Sequence, residues 1–564
     1  MRVTEGSRAA GRSVLLTALG CAALSLIPKA VLLLSGATPF NSDEAVVALM
    51  ARHILAGERP AFFYGQAYMG SLDAFLVAAA FGVLGQKVAI LRMVQAGLYS
   101  LSVMLGVLIA QRIHGDLRLS AFAGVLLAVP SVNTTLYTSV SLGGYGEVLV
   151  LGALLLLLAL RLAGGRSGGL SFAAWGFAAA LGFWAFALSL VFSLPCLAAV
   201  IVGLKRTETG RGRRVAALLT GAVLGLIPWL AGIQQVGLLP ALREMSGSAI
   251  AGASGTDWLA GLVAHAKNLV LLGSTVIVGL RPPWEVRWLA VPLAPLALAL
   301  WLGIALYAIV SLFRRDPASL SRWLLVGIIL TTWLAFVLTP FGADPSGRYF
   351  LPLVLPMAIL GAEALRALRE KSAVLAWSGL GLLVAFHVWG LAECIQRNPP
   401  GVTTQFDAVT WIDHRYDTQL RAFLVEQGET RGYTNYWVAY PLAFLSQESL
   451  IYVPALPYHA DLRYTSRDDR YPPYTTEVAA SRRVAYITTH NSQLDARLRA
   501  GMLAAEIDWH ETWIGDYHVY YRLTRPISPQ ALEVYAEGGA NASRLRAERP
   551  LSAVTLAGRG QASP

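Results

Sequence analysis

Long apolar runs, separated by short polar segments, recur along the chain from Val14 to Leu391. Several of these runs reach the ~20 residues that a helix needs to cross a bilayer. The first run, Val14–Leu34, is too long for the apolar core of a signal peptide, and it has no small-residue cleavage site. The pattern therefore predicts a polytopic membrane protein that keeps its first apolar segment as a span.

The positions of Lys and Arg predict which runs cross the membrane, because these residues concentrate in cytoplasmic loops. Arg2, Arg8 and Arg12 place the N-terminus in the cytoplasm. The basic clusters farther along the chain can all lie on the cytoplasmic side only if the short run Ser71–Gly85 does not cross the membrane. We therefore predict that this run is a partly embedded helix on the outer side. This gives about eleven spans. The predicted spans are Val14–Leu34, Met93–Gln111, Leu119–Tyr137, Glu147–Leu162, Leu170–Trp184, Ala187–Leu204, Val215–Gln235, Trp288–Phe313, Trp323–Pro340, Tyr349–Ala364 and Val374–Leu391.

The pattern changes near Asn398, where apolar runs shorten and Tyr, Asp and Arg become common. Ser449–Val453 and Arg483–Thr488 predict short buried strands, whereas Asp413–Glu426 and Trp437–Phe444 predict helices. The predicted fold is thus mainly α, a transmembrane helical bundle followed by an extracytoplasmic α/β domain. The predicted domains are a transmembrane module at 1–391, the α/β domain at 392–537 and a disordered, Ala/Gly/Ser/Arg-rich tail at 538–564.

Composition agrees with a membrane protein. The chain is 55% hydrophobic and only 14% charged, whereas soluble domains carry about 25% charged residues. The net charge of +11 does not indicate a nucleic-acid partner, because the basic residues lie in short loops between spans. We therefore expect membrane lipids around the protein and no nucleic acid. The Arg- and Ala-rich composition favours a bacterial source, and hence the plasma (inner) membrane.

The first outer loop contains two adjacent acids, Asp43 and Glu44, followed by apolar residues at helical spacing. Ser42 is a plausible N-cap, which places both acids in the first helical turn, where the helix dipole favours ionised carboxylates. Acids are common at helix starts for this reason alone. The alternative is that one carboxylate acts as a general base at the membrane surface.

Two further charged residues lie at the predicted outer ends of spans. Glu147 follows Gly143-Gly144-Tyr145-Gly146 and is either another helix-start acid or a second carboxylate that converges on the first. Arg348 precedes Tyr349 and either reaches toward lipid headgroups or binds a phosphate, which suits guanidinium geometry. Because these charged residues are all predicted to lie on one side of the membrane, a functional role is favoured over a purely structural one.

Two short motifs lie on this side: Asp43-Glu44 followed by Tyr64-Gly65-Gln66-Ala67-Tyr68-Met69-Gly70, and Gly347-Arg348-Tyr349-Phe350-Leu351-Pro352. They resemble the first outer loop and the Arg-Tyr-x-Leu-Pro stretch of the GT-C-type membrane glycosyltransferases. Within that group they are most similar to the branch of protein O-mannosyltransferases and bacterial aminoarabinose lipid A transferases. The resemblance extends over the layout of Ser42–Pro352, but individual residues are similar only in these two motifs.

The resemblance implies a transferase that moves a sugar from a polyprenyl-phosphate donor to an acceptor hydroxyl on the extracytoplasmic face by inverting displacement. It implies that Asp43 is the catalytic base, Glu44 its neighbour and Glu147 the second-loop acid, which is often Asp in relatives. The expected donor-binding residues are Arg348, Tyr349, Tyr64, Gln66 and Tyr68, with Lys267 and Arg281 as further cations that no motif supports. No cofactor is expected, and no metal, since the Asp-x-Asp signature of oligosaccharyltransferases is absent from the sequence.

The acceptor is left open between a protein, a lipid and an envelope glycan. One alternative function is a transporter or flippase of a lipid-linked or envelope precursor, which typically has an internal repeat and charges near the membrane midplane. Neither feature is apparent in the sequence. A lipid-linked glycan ligase or polymerase also works on the outer face and stays an alternative. A sensor or scaffold needs far fewer spans than the chain provides.

Overall fold

The computed structural model of the protein describes residues 5–165, 167–207, 209–248, 258–344 and 346–535. The predicted disordered tail at 538–564 lies outside the described residues. The chain folds into two compact units, which divide after His414. The predicted domain boundary at residue 391 falls inside the last long helix of the first unit, Ala373–Gln396.

The first unit consists mainly of helices. Its helices are α1 (Glu5–Ser35), α2 (Ser42–Leu55), α3 (Leu72–Leu84), α4 (Val88–His114), α5 (Leu117–Ala128), α6 (Val132–Tyr137), α7 (Tyr145–Leu162), α8 (Gly169–Ala185), α9 (Leu190–Lys205), α10 (Arg211–Val236), α11 (Leu238–Arg243), α12 (Trp258–Asn268), α13 (Ser274–Ile277), α14 (Ala294–Ser311), α15 (Ser319–Leu338), α16 (Val354–Lys371) and α17 (Ala373–Gln396). A short antiparallel hairpin, β1 (Phe62–Phe63) and β2 (Gln66–Gly70), lies between α2 and α3. A 3₁₀ helix, Arg348–Leu353, leads into α16.

Within the described residues, ten helical segments are long and apolar enough to cross a membrane. The protein is therefore a multi-pass membrane protein, and the predicted mainly α bundle is confirmed. The ten segments are Gly11–Ser35, Val88–His114, Tyr145–Leu162, Ala187–Lys205, Arg211–Val236, Trp258–Ile277, Ala294–Ser311, Ser319–Leu338, Arg348–Lys371 and Ala373–Gln396.

Some predicted spans differ from the observed helices. The predicted span Leu119–Tyr137 is divided into α5 and α6 at Pro130, because a proline has no N–H to continue the helical hydrogen bonds. The helix within Leu170–Trp184 is one of the shorter apolar helices. Conversely, the predicted spans do not include Trp258–Ile277, which is helical and is one of the ten candidate spans. Polar residues such as His265 and Lys267 interrupt its apolar pattern.

The helical segment Trp258–Ile277 contacts the end of the bundle that carries Arg348. Asn268 donates a hydrogen bond to the carbonyl of Gly342, just beyond the last turn of α15, at 2.9 Å. Farther along the segment, Val276 packs against Gly347, directly before Arg348. This part of the segment therefore lies at that end of the bundle.

Glycines allow α8 and α10 to pack backbone against backbone. A Cβ atom at Gly176 would overlap the carbonyl of Leu218, and one at Gly221 would overlap the carbonyl of Ala173. Small residues are used in this way at helix interfaces in membranes, where close approach increases van der Waals contact. The position of α8 relative to α10 therefore depends on these glycines.

The second unit has a five-stranded mixed sheet with the strand order β4-β3-β5-β7-β6. Strand β3 is parallel to β4 and β5, and β7 is antiparallel to β5 and β6. The predicted α/β arrangement is confirmed, and both predicted strands coincide with β4 and β5. The elements are α18 (Asp417–Gln427), β3 (Arg431–Thr434), α19 (Tyr436–Leu445), β4 (Ile451–Pro454), α20 (Pro472–Ala479), β5 (Ala485–Thr489), α21 (Ser492–Ala504), β6 (His510–Ile514) and β7 (Tyr517–Tyr521).

We predict that Gly221→Leu destabilises the bundle by about 1–3 kcal/mol or more, because the new side chain must push α8 away from α10. The control is Gly381→Leu in α17, where a Cβ meets no atom within 4 Å. The measurement is the thermal unfolding midpoint of the purified protein in detergent. Equal midpoints for both variants would contradict the packing described here.

Candidate functional site

Asp43 and Glu44 lie in the first turn of α2, as predicted, although the N-cap is Asn41 rather than Ser42. The Asp43 side chain is half-buried, and its Oδ2 accepts a hydrogen bond from the Thr404 hydroxyl at 3.2 Å. The same hydroxyl accepts a hydrogen bond from the Asn41 side chain at 2.8 Å. The acid is thus held at the helix start by a residue that follows the last long helix.

Glu44 is fully buried and forms an ion pair with Arg92 of α4. The guanidinium donates from Nε and Nη2 to the two carboxylate oxygens, at 3.0 and 2.6 Å. It also donates to the carbonyls of Thr38 and Pro39. Burial raises the pKa of Glu44, while the charge and hydrogen bonds of Arg92 oppose that rise. This ion pair, together with the two carbonyl contacts, holds the loop before α2 against α4.

Arg348 begins the 3₁₀ helix that precedes α16, next to Gly347 in the left-handed conformation (φ +76°). Its Nη2 donates to Asp344 Oδ2 at 2.5 Å, and its guanidinium lies 5.3 Å from the ring centre of Tyr349. Its Nε is buried and has no hydrogen-bond partner among the described residues. The guanidinium therefore has donor capacity left for a further acceptor.

Three tyrosines surround this guanidinium. Tyr68, Tyr145 and Tyr349 are buried, and each lies close enough to interact electrostatically with Arg348. The rings of Tyr145 and Tyr349 are 6.5 Å apart. We call Arg348, Asp344, Tyr68, Tyr145 and Tyr349 the Arg348 cluster. A guanidinium beside several phenolic hydroxyls is suited to bind an oxyanion, since all of these groups can donate hydrogen bonds to it.

Tyr137, in α6, lies near both Asp43 and the Arg348 cluster. Its hydroxyl donates to the carbonyl of Ser346 at 3.1 Å. The charges close enough to act on this hydroxyl are those of Arg348, Asp344 and Asp43. The structure therefore brings the predicted base and the predicted phosphate ligand to the same region of the first unit.

The hairpin after α2 carries the Tyr64–Gly70 motif, and only part of this motif lies at the Arg348 cluster. Tyr68 belongs to the Arg348 cluster, as described above. The Tyr64 hydroxyl instead donates to Glu58 at 2.6 Å and lies 3.0 Å from the His53 ring nitrogen. Gln66 is half-buried on β2.

The two additional cations, Lys267 and Arg281, have different environments. Lys267 is exposed on α12. Arg281 is buried and donates to the Thr275 hydroxyl at 3.0 Å. Its other hydrogen bonds also lie within its own segment, to the carbonyls of Leu272, Pro282 and Glu285. In this arrangement the guanidinium stabilises the chain between α13 and α14.

Glu147 lies in the first turn of α7, where it is buried beside a second acid, Asp73 of α3. Asp73 accepts hydrogen bonds from Gln95, Ser141 and the backbone N–H of Gly143. Burial raises the pKa of Asp73 to about 6, although these hydrogen bonds lower it. Glu147, the predicted second-loop acid, therefore forms a buried pair of carboxyl groups with Asp73.

The turn before α7 requires glycine at two positions. Gly143 and Gly144 have φ of +75° and +49°, a region that side chains other than glycine rarely adopt. A Cβ at Gly143 would lie 2.9 Å from the Phe63 ring, and one at Gly144 would lie 2.9 Å from the carbonyl of Ala185. The turn before α7 is therefore tightly packed.

Four residues around the site were not predicted from the sequence, namely Asp73, Tyr137, Tyr145 and Asp344. Asp73 was the most detectable of them, because an acid at the start of an apolar run is costly unless it is used. Tyr145 stands between glycines in a segment that was already singled out. Their roles depend on contacts across the bundle, which no local pattern contains.

An apolar cavity of about 530 Å³ begins close to the Arg348 cluster. Phe350 and Leu353, from the same 3₁₀ helix as Arg348, line it. Helices α14 and α15 contribute Trp301 and Trp333, and the segment between α12 and α13 contributes Gly273. A charged, hydrogen-bonding cluster thus adjoins an apolar cavity, which suits a ligand with a polar head and an apolar tail.

The fold is that of the GT-C-type membrane proteins, as the sequence predicted. The structure of ArnT from Cupriavidus metallidurans bound to undecaprenyl phosphate aligns with a TM-score of 0.51 and 13% identity, over 85% of this chain and 93% of that chain. The same protein in the apo state aligns with a TM-score of 0.51 and 13% identity, over 85% of this chain and 92% of that chain. No protein-family model matches this sequence, and comparison with curated proteins gives no significant match.

We predict that Glu44→Ala destabilises the protein by about 3–5 kcal/mol, because it leaves the largely buried Arg92 without its counter-charge. Glu370→Ala removes an acid from an exposed ion pair and is expected to change stability by less than about 1 kcal/mol. Thermal unfolding of the two variants in detergent tests this. If they unfold at the same temperature, the Glu44–Arg92 pair does not hold the loop.

Proposed function

We propose that the protein is a glycosyltransferase that moves a sugar from a polyprenyl-phosphate donor to an acceptor hydroxyl. The observation that carries the proposal is the meeting of three features in the first unit. These are the Arg348 cluster, the apolar cavity beside it and the Asp43 carboxylate on the same region of the bundle.

The donor phosphate binds at the Arg348 cluster in this proposal. The open Nε of Arg348 and the hydroxyls of Tyr68, Tyr145 and Tyr349 supply its hydrogen bonds. The polyprenyl tail enters the cavity lined by Phe350 and Leu353. The likeness in fold to ArnT, which has been crystallised with undecaprenyl phosphate, supports this choice of donor.

The reaction is a single displacement at C1 of the sugar. Asp43 accepts the proton of the acceptor hydroxyl while the hydroxyl oxygen forms its bond to C1. The bond between C1 and the phosphate oxygen breaks, and its electron pair leaves with the polyprenyl phosphate. Arg348 offsets the charge that grows on the departing phosphate. One displacement inverts the anomeric centre.

Glu44 takes no part in proton transfer in this proposal, because Arg92 occupies both of its oxygens. We place the site on the extracytoplasmic face of the bacterial inner membrane, with the N-terminus in the cytoplasm, since the basic residues of the predicted inner loops favour that orientation. The acceptor is a protein, a lipid or an envelope glycan.

Asp43→Asn is expected to lower transfer from a polyprenyl-phosphate sugar by about 10²–10⁴-fold, because the amide cannot accept the proton. Donor binding and the unfolding temperature should stay close to those of the wild type. Asp461→Asn, at an exposed acid of the second unit, is the matched control. Transfer is measured with purified protein and a panel of polyprenyl-phosphate sugars, and full activity of Asp43→Asn would remove the acid from this role.

Arg348→Lys is expected to weaken donor binding by about 10–100-fold, because the ammonium lacks the guanidinium fork that hydrogen bonds a phosphate. Arg366→Lys makes the same change near the other end of the segment Arg348–Lys371 and should leave binding unchanged. The dissociation constant for the polyprenyl-phosphate sugar is the measurement. Equal affinities for both variants would show that the phosphate binds elsewhere.

A further inference from the structure

Two acids, Asp73 and Glu147, share a site without a cation. They are 0% and 2% exposed, and each is the other's neighbouring charge. Among the described residues, no Lys or Arg forms a hydrogen bond with either acid. Two ionised carboxylates in contact at a buried position repel each other strongly, so one of the two must keep a proton.

The hydrogen bonds indicate which acid is ionised. Asp73 accepts from Gln95 Nε2 at 2.8 Å, from Ser141 Oγ at 2.6 Å and from Gly143 N at 3.1 Å. These donors favour the charged form of Asp73. The Glu147 oxygens are buried, and no other described residue donates a hydrogen bond to them. The proton therefore belongs to Glu147.

We infer that Glu147 is a protonated acid that donates a hydrogen bond to ionised Asp73, and that this pair positions Tyr145. Asp73 holds the turn before α7 at Ser141 and Gly143, and Glu147 ties the first turn of α7 to the same carboxylate. Tyr145 lies between these attachment points and reaches the Arg348 cluster. Glu147 is thus a positioning residue and not a second base; its effect on transfer rests on the proposed function.

The first test compares Glu147→Gln with Glu147→Ala. The Gln amide can still donate to Asp73, so we expect transfer within about threefold of wild type, with unchanged donor KM. The Ala variant leaves Asp73 without this donor and releases the first turn of α7 from it, and we expect donor KM to rise about tenfold or more. A loss of kcat in Glu147→Gln as large as that in Asp43→Asn would overturn the inference, because it would make Glu147 a base.

The second test does not depend on transfer. The protonated acid should give an infrared C=O stretch in the full-length wild type that Glu147→Gln lacks, and so a positive band in the wild-type minus Glu147→Gln difference spectrum. Glu363→Gln is the control, since Glu363 is similarly buried but forms an ion pair with Arg322. Absence of the band from the wild type, or its persistence in Glu147→Gln, overturns the inference. If the band behaves as expected and no sugar is transferred, only the proposed function fails.

Discussion

The guanidinium of Arg92 organises the region on which the candidate site depends. It binds both oxygens of Glu44 and the carbonyls of Thr38 and Pro39. A rigid fork with five donors can join one carboxylate to two peptide groups, whereas an ammonium is a single flexible point charge. Because Asp43 is the residue before Glu44, the same contacts fix Asp43 relative to α4. The position of Asp43 thus depends on a structural ion pair one residue away.

The 3₁₀ helix Arg348–Leu353 joins the polar and apolar parts of the site. Arg348 and Tyr349 contribute to the charged cluster, while Phe350 and Leu353 line the cavity. A six-residue element thus presents hydrogen-bond donors on one side and apolar surface on the other. An amphipathic ligand can be recognised at both of its ends without any movement of one helix against another.

The sequence predicted the helical bundle well, because a hydrocarbon environment requires long apolar helices. It also predicted that α3 is too short to span, and that Asp43 lies at a helix start. Prediction from the sequence was wrong or incomplete where a feature depends on tertiary contacts. The helical segment Trp258–Ile277 has too many polar residues for a clear apolar pattern. The environment of Glu147 depends on Asp73, about seventy residues earlier in the chain, and the buried state of Glu44 depends on Arg92. The local residues around each acid contain neither contact.

The ion pair between Asp344 and Arg348 gives the ligand-free cluster little net charge. Such a pair produces little field of its own at a distance, so the cluster itself does not attract phosphates from solution by long-range electrostatic steering. In the proposed reaction, capture of the donor then begins with its tail, which partitions into the bilayer and reaches the cavity laterally. The phosphate competes with Asp344 for the guanidinium only afterwards. In this proposal, the tail enters from the membrane first and the phosphate reaches Arg348 second.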